Sequence, residues 1–306
     1  MTEPVRLYLT GADGMLGTAL ADALARDERT AGWRVTGVSV RDFDIADEAA
    51  LRASLERCDP DVVVHCAAHA ILDDCAADPW MAMRVNVRGT HNVAAACRRL
   101  RRRMVYVSSD YVFDGLAPPP GGYREDDVPN PVSVYGLTKL AGERITATVP
   151  DHLVIRTAWL FGGRDERTDL VLAATNAVLA GRRPRLIHDQ FGSPTYTGDA
   201  AGALTHLLAE SAAGTVHVVN SGRASWLQVG EFLLSVLRGD GVEIDERLRV
   251  EPVALSDAGL VDVRPLDSAL RNEKLARLGY AMPHWTEAVR AMWAARVHSP
   301  EREHLP

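Results

Sequence analysis

Val5-Arg6-Leu7-Tyr8-Leu9-Thr10-Gly11-Ala12-Asp13-Gly14-Met15-Leu16-Gly17 is the stretch on which the fold turns. An apolar run of strand length ends in a glycine loop, and helical periodicity then extends over residues 16–26. A strand that turns through glycines into a helix brings free backbone N–H groups and the positive end of the helix dipole to one point, which suits a pyrophosphate. Gly11 permits the tight turn, Gly14 the approach of backbone to phosphate, and Gly17 the close packing of helix on strand. The loop therefore predicts a dinucleotide site built from Gly11, Asp13, Gly14, Met15, Leu16 and Gly17.

Downstream, apolar strands at 34–40, 62–66, 104–108 and 153–157 alternate with amphipathic helices at 47–57, 80–100 and 135–148. This alternation predicts an α/β protein with a doubly wound parallel Rossmann sheet, whose ligands lie beyond the carboxyl ends of the strands. After Gly162 the pattern becomes irregular, with helices at 170–180, 198–209 and 226–237, a strand-turn over 185–196, and a strand at 215–220 expected to rejoin the sheet. The expected division is an NAD(P)-binding domain over 1–165 and 197–220, and a smaller substrate-binding cap from 166–196 and 221–306. Pro118-Pro119-Pro120-Gly121-Gly122 reads as a loop at the ligand edge, either a lid or a surface excursion.

With 306 residues, 47% hydrophobic and 25% charged, the chain has the composition of a soluble globular protein. A net charge of −7 argues against nucleic acid as the main partner, and against an anionic membrane. The basic cluster Arg98-Arg99-Leu100-Arg101-Arg102-Arg103 falls at an expected helix end, where cations meet the negative pole of the dipole. Four cysteines without a CxxC pair, and no histidine cluster of ligand spacing, suggest free thiols in a reducing compartment and no metal. No apolar run is long enough for a bilayer and no signal pattern opens the chain, so the expectation is a cytoplasmic protein.

Chemistry concentrates at Tyr135-Gly136-Leu137-Thr138-Lys139. Only two of the 34 basic residues are lysine, and one is Lys139. Four residues apart on a helix, Tyr135 and Lys139 share a face and can enter one pocket. A strand-four hydroxyl, Ser109 or its neighbour Ser108, can hydrogen-bond a substrate carbonyl from close by. The phenol pKa of ~10 is expected to fall beside the ammonium and an oxidised nicotinamide. Tyr135 is then the proton donor and Ser109 the stabiliser of the developing alkoxide.

This combination resembles the extended short-chain dehydrogenase/reductases, and in detail the dTDP-4-dehydrorhamnose reductase family. The resemblance spans nearly the whole chain. It includes Ser109-Asp110-Tyr111-Val112-Phe113-Asp114-Gly115, Lys139-Leu140-Ala141-Gly142-Glu143 and Arg156-Thr157-Ala158-Trp159. Asp189-Gln190-Phe191-Gly192-Ser193-Pro194-Thr195-Tyr196 and Arg264-Pro265, with Ser268, Leu270, Lys274 and Leu275, complete it. It implies NAD(P)H-dependent reduction of a 4-keto group on a nucleotide-activated 6-deoxysugar by Ser109, Tyr135 and Lys139. It further implies that Asp44 and Ile45 touch the adenine, and that Cys66, Ala67 and Ala68 floor the cofactor. Asp110, Val112, Phe113, Trp159, Gln190 and Arg264 join Ser109 and Tyr135 around the substrate, with Arg264 on its diphosphate. Arg41 in Ser39-Val40-Arg41 inclines the cofactor toward NADPH over NADH, with Asp42 beside it as the contrary sign. Related proteins dimerise, which makes a homodimer one expectation.

Sugar-nucleotide dehydratases place Asp-Glu after the strand-four hydroxyl; here Tyr111 follows Asp110, so the acid for elimination is missing. The family's Asn-Ala-Ala-Ala-Tyr-Thr becomes His65-Cys66-Ala67-Ala68-His69-Ala70, and its Asn-Phe becomes Asp169-Leu170. These departures leave the sugar open between rhamnose and another dTDP-deoxysugar. Two other readings share the motifs. One is a non-catalytic NADP-binding subunit resembling the regulatory subunit of methionine adenosyltransferase, and the other is an epimerase with tightly held NAD.

Overall fold

A computed structural model describes residues 3–298. Five strands, β1 (Arg6–Thr10), β2 (Arg34–Val38), β3 (Val62–His65), β4 (Arg103–Ser109) and β5 (His152–Thr157), form a sheet with Gly214–His217. All pairs are parallel, in the spatial order β2, β1, β3, β4, β5, Gly214–His217. The strands carry apolar side chains on both faces, because helices cover both. Leu7, Leu9, Val64, Val105 and Ile155 pack under α1 (Met15–Arg26) and Thr197–Ala209. Tyr8, Val63, Met104 and Val154 pack in a second cluster with α2 (Glu48–Cys58) residues Leu51 and Leu55, and with Val93 and Cys97. The chain reverses its winding between β1 and β3, and the loops at their carboxyl ends open a crevice there.

Two of the differences from expectation have a local cause. Strand β2 ends at Val38 instead of residue 40, because Asp42 accepts the Ser39 N–H at 2.8 Å and folds 39–42 into a turn. The expected helix at 80–100 is three pieces: α3 (Pro79–Ala82), a π-helical turn (Met83–Arg88) and α4 (Gly89–Leu100). Hydrophobic spacing marks such a helix but cannot show the one-residue widening, which places the Asn86 side chain in the interior.

Away from the sheet, Leu170–Leu179, Trp226–Gly239 and Trp285–Val297 enclose a separate core that includes Val178, Leu233, Val289 and Trp293. Between this core and the sheet lies a small cluster of Val112, Phe113, Tyr123, Ala158, Trp159, Val219 and Leu270. The Pro118–Gly122 stretch is a surface excursion tied down where it ends, Tyr123 donating its N–H to Ala269 O at 2.8 Å. Among the described residues, no helix is long and apolar enough to cross a membrane.

Candidate active site

At the carboxyl end of β1, Gly11 takes φ +67°, a conformation costly for other residues, and a Cβ there would meet Ala67 N at 2.8 Å. A Cβ on Gly17 would stand 2.1 Å from Gly11 O. The loop is thus folded tightly against both its own helix and the segment after β3. Gly14 caps α1 without any side-chain hydrogen bond, so the first-turn amides lack a side-chain partner, as an anion site requires. This glycine cradle fits a dinucleotide pyrophosphate. Thr10 Oγ1 accepts Ala67 N–H at 3.3 Å and lies 2.8 Å from His65 Nδ1, which knits the β1 and β3 loops together.

After β2, Asp42 is occupied by the turn it closes, whereas the Arg41 guanidinium is exposed and 3.7 Å from Asp13. The Asp42 carboxylate is therefore tied to its own turn, while the Arg41 cation stays exposed. Asp44 pairs with Arg84 of the π-helical turn and accepts Ala46 N–H at 2.9 Å, which holds its pKa below the ordinary carboxylate value. Ile45 is buried against Gly89, where a Cβ would meet its Cγ2 at 2.6 Å.

Adjacent residues on a strand point to opposite faces, and this separates the two serines of β4. Ser108 donates to Glu143 at 2.6 Å, behind the site; Glu143 is in turn bound by Arg156 through two bonds of 2.8 and 2.9 Å. Ser109 faces the crevice, where it lies 2.9 Å from Asp110 Oδ1 and accepts Tyr111 N–H at 3.2 Å. Helix α5 (Val134–Thr146), capped by Ser133, brings Tyr135 and Lys139 to the same place. Lys139 is 3% exposed, donates to Val107 O at 2.6 Å, and lies 4.5 Å from the centre of the Tyr106 ring. Burial lowers its pKa to about 8. The Tyr135 phenol is raised instead of lowered: burial and the Asp110 carboxylate outweigh the Ser109 hydroxyl, which favours the phenolate. A protonated phenol beside a hydroxyl is an arrangement that can give a proton to a carbonyl oxygen.

Beyond them a cavity of about 370 Å³ opens toward the second core, lined by Tyr111, Gln190, Trp226, Leu260, Arg264 and others. Gln190 donates to Pro265 O at 3.1 Å, and its amide lies 3.5 Å from the Tyr111 hydroxyl. Arg264 binds Asp73 at 2.7 Å, while its Nη1 is buried with no hydrogen-bond partner. Several of the expected substrate residues are corrected by their positions. Val112 and Phe113 are completely buried, Phe113 stacking on Tyr123 at 4.2 Å, so both belong to the core. The Asp110 carboxylate is buried, engaged by Ser109 and Ser268, and does not line the cavity. Trp159 stacks face to face on Trp226 at 4.2 Å and backs it; Trp226 is the indole that lines the cavity.

Comparisons with known proteins identify the family of the chain. A family model described as RmlD substrate binding domain matches residues 5–297. The sequence is 34% identical to a dTDP-4-dehydrorhamnose reductase of Mycolicibacterium smegmatis, over 98% of this chain and 89% of the relative. The chain belongs to the dTDP-4-dehydrorhamnose reductase family. It is 32% identical to a dTDP-4-keto-6-deoxy-D-glucose reductase of Streptomyces niveus, across 93% of this chain and 95% of that protein. A dTDP-4-dehydrorhamnose reductase from Bacillus anthracis, solved with NADP, superposes with a TM-score of 0.86 at 28% identity, covering 95% and 99% of the two chains. As a member of this reductase family the protein is an NAD(P)-dependent oxidoreductase.

Within the family frame, several residues that sequence reasoning passed over organise the site. Asn86 accepts His69 N–H at 2.7 Å and donates to His69 O at 3.0 Å and to Thr138 at 3.0 Å, fastening the β3 loop to α5. His69 itself directs Nε2 to Asp74 at 3.1 Å. Asp169 is 2% exposed and accepts three backbone N–H groups, from Gly162, Gly163 and Leu172, at 2.7 to 2.9 Å. The altered residue is therefore a helix cap that shapes the loop against Met15, a Cβ on Gly163 meeting Met15 Cγ at 2.9 Å. Asp73 gathers Val261 N, Asp262 N and Arg264 across the cleft. Asp73 and Asn86 carry no motif signal, since each acts through a partner distant in sequence. A polar residue inside the apolar face of the 80–100 helix was the available cue for Asn86.

Proposed function

We propose that this protein reduces the 4-keto group of a dTDP-activated 6-deoxysugar with NADPH, dTDP-4-dehydro-L-rhamnose yielding dTDP-L-rhamnose being the foremost substrate. The observation that carries the reading is the Ser109 hydroxyl beside the Tyr135 phenol, with buried Lys139 one turn along α5 and the Tyr135 ring 6.1 Å from that of Tyr111, which lines the cavity. When bound, the reduced nicotinamide supplies the hydride. Ser109 hydrogen-bonds the carbonyl oxygen and Tyr135, protonated in its buried setting, delivers a proton to that oxygen. Lys139 holds a cation under the site, fixed to the β4 backbone, where it orients the ribose and opposes the negative charge left on Tyr135. Gly11, Asp13, Gly14, Met15, Leu16 and Gly17 hold the pyrophosphate, with Asp44, Ile45, Cys66, Ala67 and Ala68 around the rest of the dinucleotide.

NADPH is preferred in this reading because Asp42 closes its own turn and leaves exposed Arg41 to face a 2′-phosphate. Gln190, Trp226 and Arg264 hold the nucleotide sugar; the Arg264 Nη1, which makes no hydrogen bond and lies 3.8 Å from Asp262, suits a diphosphate oxygen. Free thiols at Cys58, Cys66, Cys75 and Cys97 suit a reducing, cytoplasmic setting.

A second sugar, dTDP-4-keto-6-deoxy-D-glucose, is kept because the Streptomyces niveus relative named for it is nearly as similar, at 32% against 34% identity. The test is NADPH and NADH oxidation with each keto sugar, with the product identified. Oxidation with the rhamnose precursor supports the first reading; oxidation with the glucose derivative alone replaces it. Tyr135→Phe is expected to lower kcat by roughly 10²–10⁴ while cofactor affinity stays within about twofold. Turnover retained in that variant would remove Tyr135 as the acid.

A further inference from the structure

Asp110 is 1% exposed at the carboxyl end of β4, and both of its oxygens are engaged by serines. Oδ1 lies 2.9 Å from Ser109 Oγ, and Oδ2 is bound by Ser268 Oγ from the carboxyl-terminal segment. Ser268 is completely buried and fixed by its own N–H to Phe191 O at 3.0 Å. A serine hydroxyl has one proton to donate, and an ionised carboxylate can only accept. With Asp110 ionised, the sole proton of Ser109 points at Asp110 and none remains for a substrate oxygen. With a proton on Oδ1, the bond reverses: Asp110 donates to Ser109, Ser268 still donates to Oδ2, and the Ser109 proton is released toward the cavity.

We propose that Asp110 is a positioning residue that works as a neutral acid, holding Ser109 as a donor to the substrate oxygen, with Ser268 setting how readily it ionises. This extends the ketoreductase reading and rests on it. Burial raises the Asp110 pKa to about 7, against the two serine hydrogen bonds that favour the carboxylate. The titratable groups in electrostatic contact with it are Tyr111 in the same turn and Tyr135 on α5, both phenols kept neutral by burial. From the third side Ser268 faces it; the neighbouring Asp267 is paired with Arg223 at 2.7 Å. The proton on Asp110 is not consumed in turnover, so the reaction balance is unchanged.

The experiment is the pH profile of kcat with NADPH and each of the two keto sugars, for wild type, Asp110→Asn and Ser268→Ala. Wild-type kcat is expected to fall tenfold per pH unit above about 7, as Asp110 ionises. In Asp110→Asn the introduced amide donates to Ser109 and its carbonyl accepts from Ser268, so this variant should lack the falling limb. Ser268→Ala removes a bond that favours the carboxylate, and should move the limb upward by about one pH unit. A limb that persists in Asp110→Asn, or stays put in Ser268→Ala, overturns the proposal, because Tyr135 or Lys139 would then own it. Difference infrared spectra of wild type against Asp110→Asn give a readout without turnover. A protonated-carboxyl band that belongs to Asp110 and fades above about pH 7 supports the proposal, and its absence at every pH ends it. If neither sugar is reduced, the functional reading fails while the infrared arm still decides the state of Asp110.

Discussion

Lys139 shows how one buried group reports on the state of the site. Its pKa in the folded protein, about 8, lies below the ordinary 10.5, so between those values the unfolded chain holds the extra proton. Stability contributed at this position therefore rises as pH rises through that window, and the cost of burying the cation is fully present below it. Relative to Lys139→Met, wild type should gain up to roughly 3 kcal/mol of unfolding free energy across the window. Urea unfolding of both proteins at the two ends checks this; parallel curves would mean that the ammonium is better solvated than its burial indicates. That Tyr135 and Lys139 share a face was legible from their spacing, because the helical period puts i and i+4 on one side; the glycine loop and the strand-four hydroxyl made the pair worth singling out. The choice between Ser108 and Ser109 was not, since a strand's alternation sets opposite directions without saying which face is the crevice. Only the Glu143–Arg156 pair behind the strand decides it.

That pair also governs the elements around it. Glu143 on α5 and Arg156 on β5 are about 5–7% exposed and bidentate, and Ser108 on β4 adds a third tie. Removing one partner of a buried pair leaves an uncompensated charge, typically at a cost of roughly 3–5 kcal/mol. Arg156→Met is expected to lose about that much in denaturant unfolding, and Arg156→Met with Glu143→Gln should recover part of it. Equal loss in single and double variants would show that Arg156 acts through its stacking over Phe113 instead. Most elements were readable from apolar periodicity, as at β3, β5 and Trp226–Gly239. The π-helical turn was not, because its cause is the clamp of Asn86 on His69, a contact between residues that periodicity treats as independent.

At the scale of the molecule, the carboxyl-terminal segment closes over the crevice through Asp73, which holds two backbone N–H groups and the Arg264 guanidinium. Asp73→Ala should release that segment, raising KM for the nucleotide sugar by roughly tenfold while kcat changes by less than about threefold. Limited proteolysis within residues 254–267 should quicken in parallel. A fall in kcat with KM unchanged would instead place Asp73 in the chemistry. From residue order and spacing follow the parallel sheet, the glycine cradle and the Tyr–Lys pair, because strand and helix periods, glycine conformations and neighbouring side chains on one helix are local physics. Which serine faces the crevice, that Trp226 and not Trp159 lines the cavity, that Val112 and Phe113 are core, and that Asp110 joins Ser109 to Ser268 depend on contacts between segments up to 158 residues apart. Those choices belong to packing and burial, which exist only once the chain has folded.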